Sequence, residues 1–240
     1  YFKTSRRGAE MIKYASNAFL ATKITFINEI ANLCETLGAD VHDIAKGMGM
    51  DRRIGSKFLH PGPGYGGSCF PKDTRALLLF AEESGHELGI VKATIEANDK
   101  QLLRMSKKIL SALGSSDSQQ TVSVLGLTFK PETDDIRESP SLSILPNLLQ
   151  AGAKIKVHDP KGLVAAKQAL PAGIIFCENM MSAIENSDAL LILTEWNEYR
   201  GLDLNALKRI MKGDVFIDLR NIYEREVVES HGFSYFCVGR

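Results

Sequence analysis

The apolar pattern of this 240-residue chain changes once, near residue 114, and the change limits the folds that the chain can adopt. Up to residue 113, apolar residues recur every three or four positions, which is the spacing of amphipathic helices. From residue 121, short apolar runs alternate with helical stretches, as they do in a parallel sheet that helices cover on both faces. The sequence therefore predicts an all-α unit over residues 1–113 and an α/β unit with a mainly parallel, doubly wound sheet over residues 114–240.

Four helices are expected in the first unit, at residues 8–37, 41–48, 71–83 and 89–113. The predicted buried stripe of the long first helix consists of Ala9, Ile12, Phe19, Ile27, Ile30 and Cys34. Lys13 and Asn17 lie together on a narrow, otherwise apolar face of that helix. Either the lysine extends along the surface to solvent, or both side chains donate hydrogen bonds into a pocket.

Six strands are expected in the second unit, at residues 121–125, 155–158, 174–177, 189–193, 215–218 and 235–238. A polar stretch of small residues at 114–120 would connect the two units. Lys130, Arg137 and Arg220 follow candidate strands at their carboxyl ends, where open α/β sheets bind ligands. They indicate either a phosphate site or local ion pairs. Asp159 ends the second strand, where such sheets often place an acid that binds a ribose.

A glycine-rich stretch at residues 62–67 is followed at once by Cys69 and by a predicted helix with Pro71 in its first turn. Its G-x-G-x-x-G spelling does not predict a dinucleotide site, because no buried strand precedes it. Glycines let a ligand approach the main chain, and a helix N-terminus favours a thiolate at Cys69. Asp73 follows within one helical turn. This combination favours a covalent active site over a connector with an inert cysteine.

Bulk composition excludes several classes of protein. Lysine plus arginine equals aspartate plus glutamate at 29 each, so no charged field predicts nucleic acid or an anionic membrane as a partner. No apolar run is long enough to span a bilayer. The four cysteines are scattered, which predicts neither a disulfide framework nor a metal site and suits a reducing, cytoplasmic setting.

In order and spacing, several motifs of the chain resemble those of one family, the nucleotide-sugar 6-dehydrogenases. The motifs are AEMIKYASN at residues 9–17, RIG at 53–55, GYGGSCFPKD at 64–73, GLTFK at 126–130 and RES at 137–139. The resemblance implies the family's helical central domain followed by its Rossmann-like, nucleotide-sugar-binding domain. It also implies NAD-dependent oxidation of C6 of a nucleotide sugar, from alcohol to carboxylate.

The resemblance further implies a role for each matching residue. Cys69 would be the nucleophile, Lys13 and Asn17 would stabilise the oxyanion, and Asp73 would position or activate water. The implied substrate-binding residues are Arg53, Phe58, Gly64, Tyr65, Gly66, Gly67, Phe129, Lys130 and Arg220. Lys72 and Arg137 would contact NAD, and Arg53 would act on the substrate of the neighbouring subunit in a homodimer formed by the central domain.

The family's NAD-binding domain precedes the long helix, and no part of this sequence resembles it. We therefore expect the 240 residues alone to lack dehydrogenase activity. UDP-glucose is the expected substrate, with GDP-mannose or a UDP-N-acetylhexosamine as alternatives. A non-catalytic nucleotide-sugar-binding or dimerisation module, and a cysteine hydrolase, are further alternatives. No histidine occupies an obvious base position for a hydrolase, since even His60, nearest to Cys69 in sequence, is expected only to line the pocket.

Overall fold

The first part of the chain is helical, as predicted. The structure, a computed structural model, describes residues 1–114 and 119–240, so most of the predicted connector at 114–120 lies outside the described residues. The helices are α1 (Arg6–Leu37), α2 (Val41–Gly49), α3 (Phe70–Glu83) and α4 (Gly89–Leu113). Their bounds agree with the sequence prediction to within two residues. No described helix is both long enough and apolar enough to cross a membrane.

Local capping explains where α1 begins and ends. The Ser5 hydroxyl accepts a hydrogen bond from the Gly8 amide at 3.1 Å, which satisfies one of the free N–H groups of the first turn. Gly38 ends the helix with φ of 68°, a left-handed conformation that favours glycine. Between these two residues α1 runs for 32 residues and packs against both α3 and α4.

The predicted apolar stripe of α1 is only partly buried. Ile27 and Ala31 are fully buried and Cys34 is nearly so, but Ile12 and Phe19 are 48% and 66% exposed. The expectation that Ile12 and Phe19 lie in the core is therefore wrong. At about 100° per residue, Ile12 and Phe19 project about 60–80° away from Ile27, onto a face of α1 that no described element covers.

The second part is a six-stranded sheet in the described residues, in which every neighbouring pair of strands is parallel. Its strands are β1 (Thr121–Leu125), β2 (Lys154–His158), β3 (Ile174–Phe176), β4 (Ala189–Ile192), β5 (Val215–Asp218) and β6 (Ser234–Cys237). Each bound is within one residue of the prediction. The order β3-β2-β1-β4-β5-β6 is that of a Rossmann-like sheet, and the strand order reverses between β1 and β4.

Helices cover both faces of this sheet. They are α5 (Pro140–Gln150), α6 (Leu163–Ala169), α7 (Met180–Ile184), α8 (Leu204–Ile210) and α9 (Arg225–Ser230). One core holds Val122 and Val124 of β1, and the other holds Leu190 and Ile192 of β4. The first core also contains Met105 of α4 and other residues of the helical part. The helical part and one face of the sheet therefore share a continuous hydrophobic core, which fixes the helices over the carboxyl ends of the strands.

Candidate functional site

A cavity of about 700 Å³, here called the central cavity, lies where the helical part meets the carboxyl ends of β1 and β5. Ligands of open α/β sheets bind at this end, near the reversal of strand order. The predicted site residues that line it are Phe58, Gly64, Tyr65, Gly66, Cys69, Phe129, Lys130 and Arg220. Residues that the sequence did not single out also line it, among them Ile24, Asn28, Lys57 and Phe70. His60 lines it too, as expected.

Three side-chain amides from other helices hold the glycine loop, residues 62–67. Asn28 accepts a hydrogen bond from the Gly62 N–H at 2.8 Å, and Gln101 donates one to the Gly62 carbonyl at 2.9 Å. Asn98 accepts from the Tyr65 N–H at 2.8 Å and donates to the Tyr65 carbonyl at 3.2 Å. All three side chains are at least 95% buried. Buried polar groups need such partners, so these bonds fix the loop without introducing a charge.

Sequence reasoning missed these three amides. The available signal was a polar residue at a buried helical position, with Asn98 and Gln101 spaced i, i+3 on α4. The sequence shows such a position but not the loop peptide that it contacts.

Gly66 and Gly67 leave no space for a side chain. A Cβ on Gly66 would overlap the Glu138 carbonyl oxygen, and one on Gly67 would lie 2.6 Å from the Phe129 ring. Gly67 also has φ of 86° and donates to the Arg137 carbonyl at 3.0 Å. The loop after β1 thus packs directly against the glycine loop, which only glycine permits at these two positions.

Cys69 holds the N-cap position of α3 without a side-chain capping hydrogen bond, and its side chain is exposed to the central cavity. By contrast, Cys34 and Cys237 are buried and Cys177 is half-buried. Lys72 and Arg137 lie near enough to Cys69 for a thiolate charge to act on both cations. The exposed sulfur of Cys69, at the first turn of α3 and facing the central cavity, is accessible to a substrate carbon, which is the geometry that nucleophilic chemistry needs.

Asp73 lies one turn further along α3, at a recess beside α1 that Lys13 and Lys72 also line. Asn17 donates a hydrogen bond to one Asp73 oxygen at 2.5 Å, and Lys72 forms an ion pair with the other. Burial alone would raise the pKa of Asp73, but these bonds and the nearby charge of Lys13 outweigh it and hold the pKa below its ordinary value. Asp73 is thus a stable anion that orients Asn17.

The Asp73 amide donates to the Cys69 carbonyl at 2.8 Å, which joins this recess to the central cavity through one helical turn. Asp73 therefore lies one helical turn from Cys69 and binds Asn17, and the exposed Lys13 lines the recess beside Asp73. Lys13, Asn17 and Asp73 do not line the central cavity.

Five basic residues were predicted to contact ligands, namely Arg53, Lys72, Lys130, Arg137 and Arg220, and two of them, Lys130 and Arg220, line the central cavity. Lys130 is exposed there, 5.3 Å from the centre of the Phe129 ring. Arg220 donates to the Leu193 carbonyl at 2.6 Å and pairs with Glu195 at 3.2 Å, so it is held by the segment that follows β4. Arg137 pairs with Asp135 and Arg53 with Asp51, and neither lines the central cavity of its own chain.

The interpretation of Asp159 as an acid that binds a ribose is wrong. Its side chain is only 1% exposed. One carboxylate oxygen accepts from the amides of Leu127 and Thr128, in the turn after β1, at 2.6 and 3.1 Å. The other accepts from the amides of Lys161 and Gly162 at 3.0 and 2.6 Å. The carboxylate occupies the position where a Rossmann sheet binds pyrophosphate, so this turn is closed to a dinucleotide.

Within the described ranges, no group of three histidine, cysteine, aspartate or glutamate side chains is arranged to bind a metal ion.

Comparison with known proteins identifies the family. The model of the UDP-glucose/GDP-mannose dehydrogenase family's central domain matches residues 7–100, and that of the family's UDP binding domain matches residues 123–225. A UDP-glucose 6-dehydrogenase of Rhizobium meliloti is 50% identical over 237 residues, which are 99% of this chain and 54% of the relative.

Solved structures agree. A UDP-glucose dehydrogenase of Pyrobaculum islandicum is 36% identical with a TM-score of 0.85, over 97% of this chain and 51% of that one. An NDP-N-acetyl-D-galactosaminuronic acid dehydrogenase of Methanosarcina mazei is 30% identical with a TM-score of 0.87, over 98% of this chain and 51% of that one. The chain thus spans about half the length of the relatives that it matches. With both of its parts matched, the chain belongs to the UDP-glucose/GDP-mannose dehydrogenase family, as its central and UDP-binding domains.

Proposed function

We propose that this chain is the catalytic and substrate-binding part of an NAD-dependent UDP-glucose 6-dehydrogenase, which converts UDP-glucose to UDP-glucuronate. The observation that carries the proposal is the exposed Cys69 at a helix N-terminus in the central cavity, with the cations of Lys130 and Arg220 in the same cavity. A nucleophile for the sugar carbon and cations for the diphosphate are the two chemical requirements of that substrate. The names of the relatives supply the choice of UDP-glucose.

In the proposed mechanism Cys69 handles the intermediate of the reaction. The C6 alcohol first loses a proton and a hydride to give the aldehyde. The thiolate of Cys69 adds to this aldehyde to give a thiohemiacetal, which loses a second hydride to give a thioester. Water then hydrolyses the thioester, releasing the carboxylate and restoring the thiol. Lys13 and Asn17 donate toward the oxygen on which negative charge develops. Asp73 orients Asn17 and positions the water. Its lowered pKa makes it a better electrostatic partner than a proton acceptor.

NAD+, when bound, would supply the acceptor for each of the two hydrides, one NAD+ for each hydride. The described residues fit only the edge of that cofactor, because Asp159 already occupies the phosphate-binding turn of this sheet. Lys72 and Arg137, both near Cys69, are the residues of this chain that we assign to it. The 240 residues by themselves are accordingly expected to bind UDP-glucose without reducing NAD.

The domain boundary at residue 114 and a homodimer through the helical domain are part of the same proposal. Ile12, Phe19, Phe26 and Leu33 recur every seven residues on the surface of α1 and are 45–66% exposed. Such an apolar stripe along a long helix favours association with a second helix. Arg53, whose guanidinium is bound to Asp51 outside the central cavity, would then contact the substrate of the neighbouring subunit.

Alkylation of Cys69 tests the proposal on the chain itself. Iodoacetamide should modify Cys69 faster than the half-buried Cys177, and UDP-glucose should slow the modification of Cys69 alone, as read by peptide mass spectrometry. The Lys130→Ala variant is expected to need at least about tenfold more UDP-glucose for the same protection, because it loses a charge-assisted contact. Lys167→Ala, on α6 away from the central cavity, is the matched control.

If GDP-mannose or a UDP-N-acetylhexosamine protected Cys69 from alkylation more strongly than UDP-glucose, that nucleotide sugar would replace UDP-glucose as the proposed substrate. No protection by any nucleotide sugar would contradict the proposed function. A chimera that adds the amino-terminal half of the Rhizobium meliloti relative should reduce NAD, and Cys69→Ser in that chimera should lower turnover by about a thousandfold or more. Binding without turnover in the chimera would instead support a non-catalytic module.

A further inference from the structure

A second concave surface lies on the other side of Asn28 from the central cavity. This groove, of about 440 Å³, runs between α1 and α4 and is called here the α1–α4 groove. Asn28 lines both the groove and the central cavity, so a single layer of side chains separates them. Cavities of this volume suit small molecules.

The α1 wall of the groove carries polar atoms that lack partners. Thr25, Asn28 and Asn32 follow one another at i, i+3 and i+7, and all three line the groove. In the part of the chain that the structure describes, the Thr25 hydroxyl, the Asn28 Nδ2 and the Asn32 Oδ1 are buried and make no hydrogen bond. Thr25 is 5% and Asn28 2% exposed. A buried polar group without a hydrogen-bond partner destabilises the fold. A hydroxyl group both donates and accepts, so it is a suitable partner for all three of these atoms.

The α4 wall is basic. Lys100, Arg104 and Lys107 share one face of the helix, and Arg104 pairs with Glu35 at 3.6 Å. Within residues 1–114 and 119–240, Lys100 and Lys107 have no carboxylate within ion-pair distance. A basic helix face by itself is usually only solvated, but here it lies opposite the unpaired polar wall. Glu29 on the α1 side offsets one positive charge, which favours a single phosphate over a diphosphate.

The wall of the groove is also part of the framework of the glycine loop. Asn28 and Gln101 hold the N–H and the carbonyl of Gly62, and Gln101 in turn accepts a hydrogen bond from Asn32 at 2.8 Å. Gly62 lines the central cavity. A molecule that binds Asn28 and Asn32 in the groove therefore acts, through two hydrogen bonds, on a residue of the other cavity.

We propose that the α1–α4 groove is a second small-molecule site, which takes a hydroxyl-rich phosphate monoester of sugar-phosphate size and is coupled to the central cavity through the Gly62 peptide. The coupling to nucleotide-sugar binding rests on the proposed function, whereas occupation of the groove does not. By thermodynamic linkage, the groove ligand changes the affinity of the central cavity for the nucleotide sugar by some factor. The nucleotide sugar then changes the affinity of the groove for its ligand by the same factor.

Calorimetric titration tests occupation directly. Glucose 6-phosphate, glucose and inorganic phosphate are each titrated into the 240-residue chain, once alone and once with saturating UDP-glucose. We expect glucose 6-phosphate to bind more tightly than glucose or inorganic phosphate alone, and to remain bound in the presence of UDP-glucose. The double variant Lys100→Ala/Lys107→Ala should bind it at least about tenfold more weakly, since charge-assisted contacts are lost. Lys92→Ala, an exposed lysine of α4 outside the groove, should change nothing.

Three results would overturn the proposed site. They are the absence of binding heat when glucose 6-phosphate is titrated, displacement of glucose 6-phosphate by UDP-glucose, and a loss of glucose 6-phosphate affinity in Lys92→Ala equal to that in the double variant. A change of oligomeric state in the double variant, without sugar-phosphate binding, would show that a second copy covers the groove. Because the titration is also run without UDP-glucose, failure of nucleotide-sugar binding would count against the proposed function and not against the groove.

The coupling has its own test. In the unmodified chain, saturating glucose 6-phosphate should change the Kd for UDP-glucose by about fivefold, in the usual range for coupled sites. Gln101→Met, similar in volume, removes both hydrogen bonds of that side chain and should abolish this change when glucose 6-phosphate is raised to saturate the variant's own groove. An unchanged coupling factor in this variant would contradict the route through Gly62. The lysine variants, whose side chains are exposed, keep occupation testable if Gln101→Met does not fold.

Discussion

The glycine loop of the helical part and the turn after β1 of the sheet are built alike but held differently. Each has a left-handed glycine without space for a side chain, Gly67 in the loop and Gly126 in the turn. The loop is held by the neutral amides of three side chains, whereas the turn is held by the carboxylate of Asp159. A neutral amide fixes the backbone and leaves the neighbouring space open to an anion. A carboxylate fixes it by taking the position of the anion itself.

This difference explains which of the two elements serves ligand binding. The turn after β1 has the location of a dinucleotide-binding turn but is a closed structural element. The glycine loop has the G-x-G-x-x-G motif of such a turn but lies between helices rather than after a strand, and it borders the 700 Å³ central cavity. Ligand binding in this sheet is thus expected to rely on side chains beyond the turn, such as those of Lys130 and Arg220.

Removing the charge of Asp159 should have the largest effect. We expect Asp159→Asn to lower the free energy of unfolding by about 3 kcal/mol, because buried amides that now donate to a carboxylate would face a side chain with one acceptor. UDP-glucose affinity of the folded variant should be unchanged. Urea denaturation measures the first quantity and calorimetry the second.

Asp214→Asn, at an exposed aspartate, is the control and should be neutral. A stable Asp159→Asn variant with weakened UDP-glucose binding would restore the ribose-binding interpretation and end the contrast between the two elements.

Placing a carboxylate in the loop should have a smaller effect. Asn28→Asp keeps an acceptor for the Gly62 amide but adds a negative charge to the wall of the central cavity. We expect UDP-glucose to bind about tenfold more weakly, the scale of one charge acting over about 10 Å at an effective dielectric of about 20. The loss should shrink as salt is added. Unchanged affinity at low salt would show that a carboxylate and an amide are interchangeable at this position.

The pH dependence of Asp73 is the smallest expected effect. Its pKa is lower in the folded chain than in the unfolded chain, so its bonds to Asn17 and Lys72 stabilise the fold above the unfolded pKa of about 3.8. That contribution should be lost as pH falls through the lowered folded pKa. The difference in unfolding free energy between the chain and Asp73→Asn should therefore be constant near neutral pH and diminish below about pH 3.8. A difference that grows on acidification would mean that the folded pKa of Asp73 is raised.

Much of the fold was predictable because its signals are local. The end of α1 follows from Gly38, its course follows from the spacing of its apolar residues, and the strands follow from short apolar runs, so these elements were located to within two residues. Site residues that lie close together in sequence, such as the glycine loop and Cys69, were predictable because one segment contains them. Local signals failed where another element decides the environment. Ile12 and Phe19 have the spacing of core residues and are exposed, since no described element packs over them.

The sequence by itself determined the order of helices and strands, the composition of the glycine loop and the position of Cys69 at the start of a helix. These depend on backbone preferences and on residues within about one helical turn of each other. Only the tertiary structure decided that Asn28, Asn98 and Gln101 hold that loop, that Asn17 meets Asp73, and that Asp159 closes the turn after β1. Those hydrogen bonds join residues more than 30 positions apart, and a donor's partner over such a separation is set by how the elements pack rather than by the neighbouring sequence.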